Sequence, residues 1–135
     1  MPTISDPGFR LMRDAIAEGI EVSVIPGPSA VTMAVALSGL PTDRFSFEGF
    51  PPRTAGARLA TFEKLRFEER TMVFFESPHR ILESLEDAAS VLGSDRQASV
   101  SAQEPGYRDL GRQIRHGSCR GAAGNFGKDR PPGAA

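Results

Sequence analysis

Residues Thr71-Met72-Val73-Phe74-Phe75-Glu76-Ser77-Pro78-His79-Arg80 lead straight into Ile81-Leu82-Glu83-Ser84-Leu85-Glu86-Asp87-Ala88-Ala89-Ser90-Val91-Leu92, and this junction decides the fold. From Met72 to Phe75 every position is apolar. A strand with one wet face alternates, whereas a strand covered on both faces reads as an unbroken apolar run. A strand over 71–76 inside a two-sided sheet is therefore predicted. Beyond it, Ile81, Leu82, Leu85, Ala88 and Leu92 recur at helical spacing, which predicts a helix over 78–92. Ser77 is a capping residue type and Pro78 suits a first helical turn.

Moving outward, Phe45 to Phe50 alternates as a strand, and Pro51-Pro52 breaks it. A helix over 57–66 turns Leu59, Phe62 and Leu65 inward, and Ala98-Ser99-Val100 opens a strand over 97–101. Strands alternating with helices argue an α/β fold. Toward the start, Asp6 can cap a helix over 7–18 whose Leu11, Ala15 and Ile16 face one side, and Gly19 ends it. Glu21 to Ile25 alternates and is rich in β-branched residues, which predicts a strand. The helix predicted over 29–38 is apolar nearly all round, as expected of a helix buried on several sides. The stretch 40–44 reads as a hinge. From Ser101 onward glycines interrupt any apolar periodicity, and composition predicts a tail with little regular structure.

Composition narrows the function classes. The 135 residues carry a net charge of −1, so a basic field over the whole molecule is absent and RNA contacts must be local. One cysteine, Cys119, excludes an internal disulfide, and no apolar run approaches a membrane span; both suit the cytoplasm. One Cys and two His give no metal-ligand spacing.

Four places can carry chemistry. In Ile25-Pro26-Gly27-Pro28-Ser29-Ala30 a strand ends, Gly27 permits close approach, and free N–H groups at the next helix start can cradle an anion. The plain alternative is an ordinary turn and cap. Glu76 to Arg80 follows a buried strand, where open α/β sheets bind ligands; His79 is a candidate acid or base and Arg80 a phosphate contact. The alternative is a capped helix start with His79 at the surface. Glu48-Gly49-Phe50 has the same ambiguity. Arg53, Arg58, Lys64, Arg66 and Arg70 form a basic cluster suited to an RNA backbone, or else a solvated face balanced by Glu63, Glu68 and Glu69.

Five segments occur in register: Pro2-Thr3-Ile4-Ser5-Asp6-Pro7-Gly8, Ile25 to Ala30, Ser38-Gly39-Leu40-Pro41-Thr42-Asp43-Arg44-Phe45, Phe47-Glu48-Gly49-Phe50 and Phe75 to Arg80. Together they resemble the small-subunit rRNA cytidine 2′-O-methyltransferases of the tetrapyrrole methylase superfamily, over about residues 1–100. The resemblance implies two α/β domains with S-adenosyl-L-methionine between them. Residues 1–40 would be the C-terminal part of the cofactor domain, 41–100 the start of the second domain, and 101–135 a divergent tail. It implies cofactor contacts from Pro26, Gly27, Pro28, Ser29, Ala30 and Leu37. RNA contacts are expected from Arg53, Arg58 and Arg80, with Glu48, Glu76 and His79 as candidate proton acceptors. The partners implied are small-subunit rRNA or the ribosomal subunit, with the full-length family a homodimer.

The departures from the family pattern carry their own expectations. Met1-Pro2 would be the end of a cofactor loop whose earlier residues are absent, so the chain alone is expected to be a marginal, inactive fragment. Ser101-Ala102-Gln103-Glu104-Pro105 stands where an Arg-Glu-Leu-Thr-like segment is expected, as a frameshift would leave it. Two other readings are a sister methylase acting on tetrapyrroles or diphthine-type substrates, which the Glu48 and Glu76 motifs oppose, and a non-functional remnant.

Overall fold

A computed structural model describes Ile4, Ser5, residues 7–101, residues 114–119 and Gly121. Its elements, in chain order, are α1 (Phe9–Ala17), α2 (Ala30–Leu37), β1 (Phe45–Gly49), α3 (Ala55–Lys64), β2 (Thr71–Phe74), α4 (Ile81–Leu92), β3 (Gln97–Ser101) and β4 (Ile114–Ser118). The fold is α/β. β1 and β2 pair in parallel, with Phe45 opposite Thr71 and Gly49 opposite Phe74. β3 and β4 pair antiparallel.

The unbroken apolar run of β2 is used on both faces. Val73 joins Val31 and Val35 of α2 in a buried cluster, with Phe47 and Phe75 packed against it. On the other face Phe74 meets Phe62 of α3 edge-on, with ring centroids 5.7 Å apart. Phe62 is 2% exposed, as its inward assignment requires. α3 and α4 pack against each other. A polar tie runs between them, because Arg58 bonds Asp87 at 2.7 Å.

Several expectations are corrected. No strand forms over 21–25; residues 20–29 have no regular structure, and Val24 and Ile25 are 51% and 88% exposed. A strand exists only where a neighbour accepts its ladder, and no other described strand lies beside this one. α1 begins at Phe9, because Gly8 at φ 121° stands outside helical space. The cap expected from Asp6 lies outside the described residues. The face of Leu11 and Ile16 is uncovered, and α1 buries no residue. α2 is buried on one side only, through Val31 and Val35, and leaves Leu37 39% exposed. α4 begins at Ile81, after a turn in which the Ser77 carbonyl accepts from the N–H groups of Arg80 and Ile81. Ser77 therefore joins through its backbone, and Arg80 holds the cap position without a side-chain cap bond.

The stretch expected to lack regular structure after Ser101 contains β4. Its five residues pair in full with β3, whose backbone donors and acceptors supply the template that composition does not reveal. Cys119, just beyond, is buried. Glycine 106, glycine 111 and glycine 124 lie outside the described residues.

Candidate functional site

The chemistry-bearing motifs meet at the carboxyl end of the parallel pair, the edge at which open α/β sheets bind ligands. β1 ends in Glu48-Gly49-Phe50, where the register shifts between Phe47 and Gly49 and Gly49 takes φ 72°. That conformation is in the left-handed region, which explains a glycine here. The Gly49 carbonyl accepts from Phe75 N–H at 2.8 Å, so the two motifs are joined backbone to backbone. Phe50 and Phe75 pack edge-on at 5.5 Å. Ser5 approaches from the start of the chain, its Oγ 3.9 Å from where a Gly49 Cβ would stand. Three of the five sequence motifs are thus brought together.

β2 runs into a compact polar network. The Glu76 side chain is 5% exposed and pairs with Arg80 Nη2 at 2.6 Å. Ser77 N–H donates to Glu76 Oε1 at 2.8 Å, and Ser84 Oγ donates to Oε2 at 2.6 Å. Of the three candidate proton acceptors, Glu76 therefore already holds three partners, Glu48 is half-buried and His79 is exposed. Sequence reasoning missed Ser84. The pattern that could have found it is the helical stripe Arg80, Ser84, Ala88, in which two polar residues stand on an otherwise apolar face.

Beside this edge lies a cleft of about 720 Å³ between α2, β2, α4 and β3. Its walls are mainly apolar, with Ala30, Met33 and Leu37 on one side and Phe75 and Leu85 on another, while Glu76 adds charge. Ala30 and Leu37, expected at a cofactor site, line it; Pro26 to Ser29 lie outside the lining. Pro26, Gly27 and Pro28 are exposed. Ser29 holds the cap position of α2 but makes no side-chain cap bond. A Cβ on Gly27 would meet nothing within 4 Å, and Gly27 is not among the glycines of positive φ. The strained turn expected there is absent, so Gly27 matters only for what approaches it. The donor set fits a small carboxylate-bearing ligand, with unmatched N–H groups at a helix start beside an apolar wall.

The chain's likeness to known proteins agrees with this arrangement. The model of the Tetrapyrrole (Corrin/Porphyrin) Methylases matches residues 1–117. The chain belongs to the tetrapyrrole methylase family. It is 52% identical over 99 residues to a Mycobacterium tuberculosis protein named Ribosomal RNA small subunit methyltransferase I, covering 73% of this chain and 35% of that protein. A Thermotoga maritima protein of the same name is 42% identical over 133 residues, covering 98% of this chain and 58% of the relative. One from Pseudomonas aeruginosa is 47% identical over 102 residues, covering 76% and 36%. The chain thus spans about a third to under three fifths of the length of these curated relatives. The family match runs on past residue 100, to residue 117, beyond the stretch over which the motifs carry the resemblance.

Within this tetrapyrrole methylase the basic cluster divides. Arg58 is 2% exposed and faces α4 instead of solvent. Its Nε donates to Asp87 Oδ2 at 2.7 Å, and Glu83 stands 3.5 Å from Nη2. An RNA contact from Arg58 is therefore replaced by a structural role, which the inward spacing of Arg58 with Phe62 allows. Arg66 pairs with Glu63 and Arg70 with Glu68. The bond from Arg70 holds the Glu68 carboxyl down at about 2, and the same pairing pushes the Arg70 guanidinium up. Arg53 is exposed, and Arg80 is 24% exposed beside Glu76. Among the described residues no cluster of His, Cys, Asp and Glu is placed to hold a metal, and no helix is long and apolar enough to cross a membrane.

Proposed function

We propose that this protein uses S-adenosyl-L-methionine to methylate small-subunit ribosomal RNA, at a cytidine ribose 2′-hydroxyl. The observation that carries the reading is the juxtaposition of Glu48-Gly49-Phe50 and Glu76 to Arg80 at the carboxyl ends of β1 and β2, beside the apolar cleft. The names of the relatives favour the RNA substrate, and the resemblance carried by the five motifs favours the ribose. The segment leading into α2, from Pro26 to Ala30, together with Leu37, would hold the cofactor, which supplies a methyl group activated on a sulfonium.

The remaining work falls to the protein. A ribose hydroxyl must be held in line with the methyl group, and its proton must leave. Glu48 at the end of β1 or His79 on the turn after β2 would take the proton. Arg53 and Arg80 would hold backbone phosphates, since guanidinium forks suit phosphate oxygens.

The test supplies methyl-labelled cofactor with small ribosomal subunits, then hydrolyses the RNA in alkali. A 2′-O-methyl blocks cleavage at its own nucleotide, so the label should survive in an alkali-stable dinucleotide. Label on a base, or transfer to a tetrapyrrole or a modified histidine instead, would refute the substrate. Replacing Gly27 by Val should weaken cofactor binding by crowding its approach, and unchanged affinity would refute the cofactor site.

A further inference from the structure

We infer that Glu76 is a positioning residue that aims Arg80 at a phosphate of the substrate RNA, and not the proton acceptor; this rests on the RNA reading above. Three bonds fix the Glu76 carboxylate. Oε1 accepts from Ser77 N–H and pairs with Arg80 Nη2, and Oε2 accepts from Ser84 Oγ. With its side chain 5% exposed and three of about four acceptor positions taken, the carboxylate is poorly placed to receive a substrate hydroxyl. The same bonds tie the end of β2, the turn and the first turn of α4 into one unit, with Arg80 at its corner.

Arg80 differs from the other enclosed arginine in what its donors meet. Arg58 is 2% exposed and places Nε, Nη1 and Nη2 on Asp87, the Arg53 carbonyl and Glu83. That is a guanidinium matched on all sides. Arg80 is 24% exposed and is held through Nη2 alone, while its Nη1 is buried with no partner. A buried donor left unmatched is costly, and structures rarely keep one without a use. Glu76 thus fixes the orientation of Arg80, which stands at the carboxyl end of the sheet, 24% exposed and with one enclosed donor unmatched. An arginine fork held in this way suits the paired oxygens of a phosphodiester.

The test compares the unaltered chain with Glu76→Gln, Arg80→Gln and the double variant, for binding to a small-subunit rRNA transcript across a salt series. Arg80→Gln should weaken binding about tenfold near 0.1 M salt and flatten the slope of log affinity against log salt by about one, the mark of one phosphate contact. Glu76→Gln should flatten it equally, and the double variant should be no worse than Arg80→Gln. An unchanged slope in Glu76→Gln, or additive losses, overturns the inference. So does weaker cofactor binding with an unchanged slope, which would place Arg80 on the cofactor's carboxylate. If Glu76→Gln does not fold by circular dichroism, Glu76→Asp, which draws the charge back by one methylene, must flatten the slope instead. If the unaltered chain binds no RNA, the functional reading fails, and this inference with it.

Discussion

Replacing Asp87 by Ala should destabilise the chain more than any other single change among its ion pairs. Arg58 is 2% exposed, and its Nε and Nη2 both lie 2.7 Å from Asp87 Oδ2. Removing one partner of a buried pair leaves a charge without compensation and costs about 3–5 kcal/mol. Two features lower that figure here. Asp87 is 22% open to solvent, and Glu83, 3.5 Å from Nη2, can take up part of the charge although it is itself 67% exposed. A loss of about 2–4 kcal/mol is expected, out of a net stability of about 5–15 kcal/mol. In urea, with a slope of about 1–2 kcal/mol per M, the midpoint should fall by about 2 M. Arg58→Met should cost less, because it removes the buried charge and leaves Asp87 able to turn to water. A fall for Asp87→Ala of under about 0.5 kcal/mol at unchanged slope would show that the pair does not hold α3 to α4. If Arg58→Met spared stability but weakened RNA binding, the structural role given to Arg58 would be refuted.

Gly49→Ala should lower the melting temperature through its φ of 72° alone, at a cost of about 1–2 kcal/mol, because its Cβ would meet only Ser5 Oγ at an ordinary 3.9 Å. Glu68 titrates near 2 in the folded chain against an ordinary 4.5, so its pairing with Arg70 stabilises above about pH 4.5 and is lost as the pH falls through about 2. Arg70→Gln should return the Glu68 titration, followed by NMR, toward 4.5; because Arg70 is exposed and Glu68 half-buried, salt should have a similar though weaker effect. Burial pushes the Cys119 thiol up, so it should react slowly with an aromatic disulfide reagent in the folded chain and rapidly in urea. Equal rates in the two states would show that Cys119 is open to solvent.

The elements legible in the sequence were those whose burial is local to the described residues. The run Met72 to Phe75 announced a strand covered on both faces, and Val73 and Phe74 do pack on opposite sides of β2. The stripes through Phe62 and Ala88 announced α3 and α4 in the same way. Where the pattern was equally clear but no neighbour stands beside it, it did not suffice. Glu21 to Ile25 alternates as well as Phe45 to Phe50 does, yet only the second has a parallel partner. β4 is the converse case, weak in its own pattern and formed because β3 offers a free edge. Strand propensity is a statement about fitting a pleated surface, so it cannot say whether that surface is present.

The same distinction governs the candidate site. Sequence order located Glu48, Glu76 and Arg80 at strand ends, and the parallel pairing of β1 and β2 brings those ends side by side. It could not separate Arg58 from Arg80, two arginines near helix starts, because the difference lies in partners 29 residues away for the first and four or eight away for the second network. Charge alone marked both as RNA contacts. Burial reverses one of them, since a guanidinium at 2% exposure with every nitrogen matched has nothing left to offer a phosphate. It leaves the other 24% exposed with an enclosed donor unmatched. The feature that separates Arg80 from Arg58 is therefore the unused donor, and that is a property of packing, which a linear pattern does not contain.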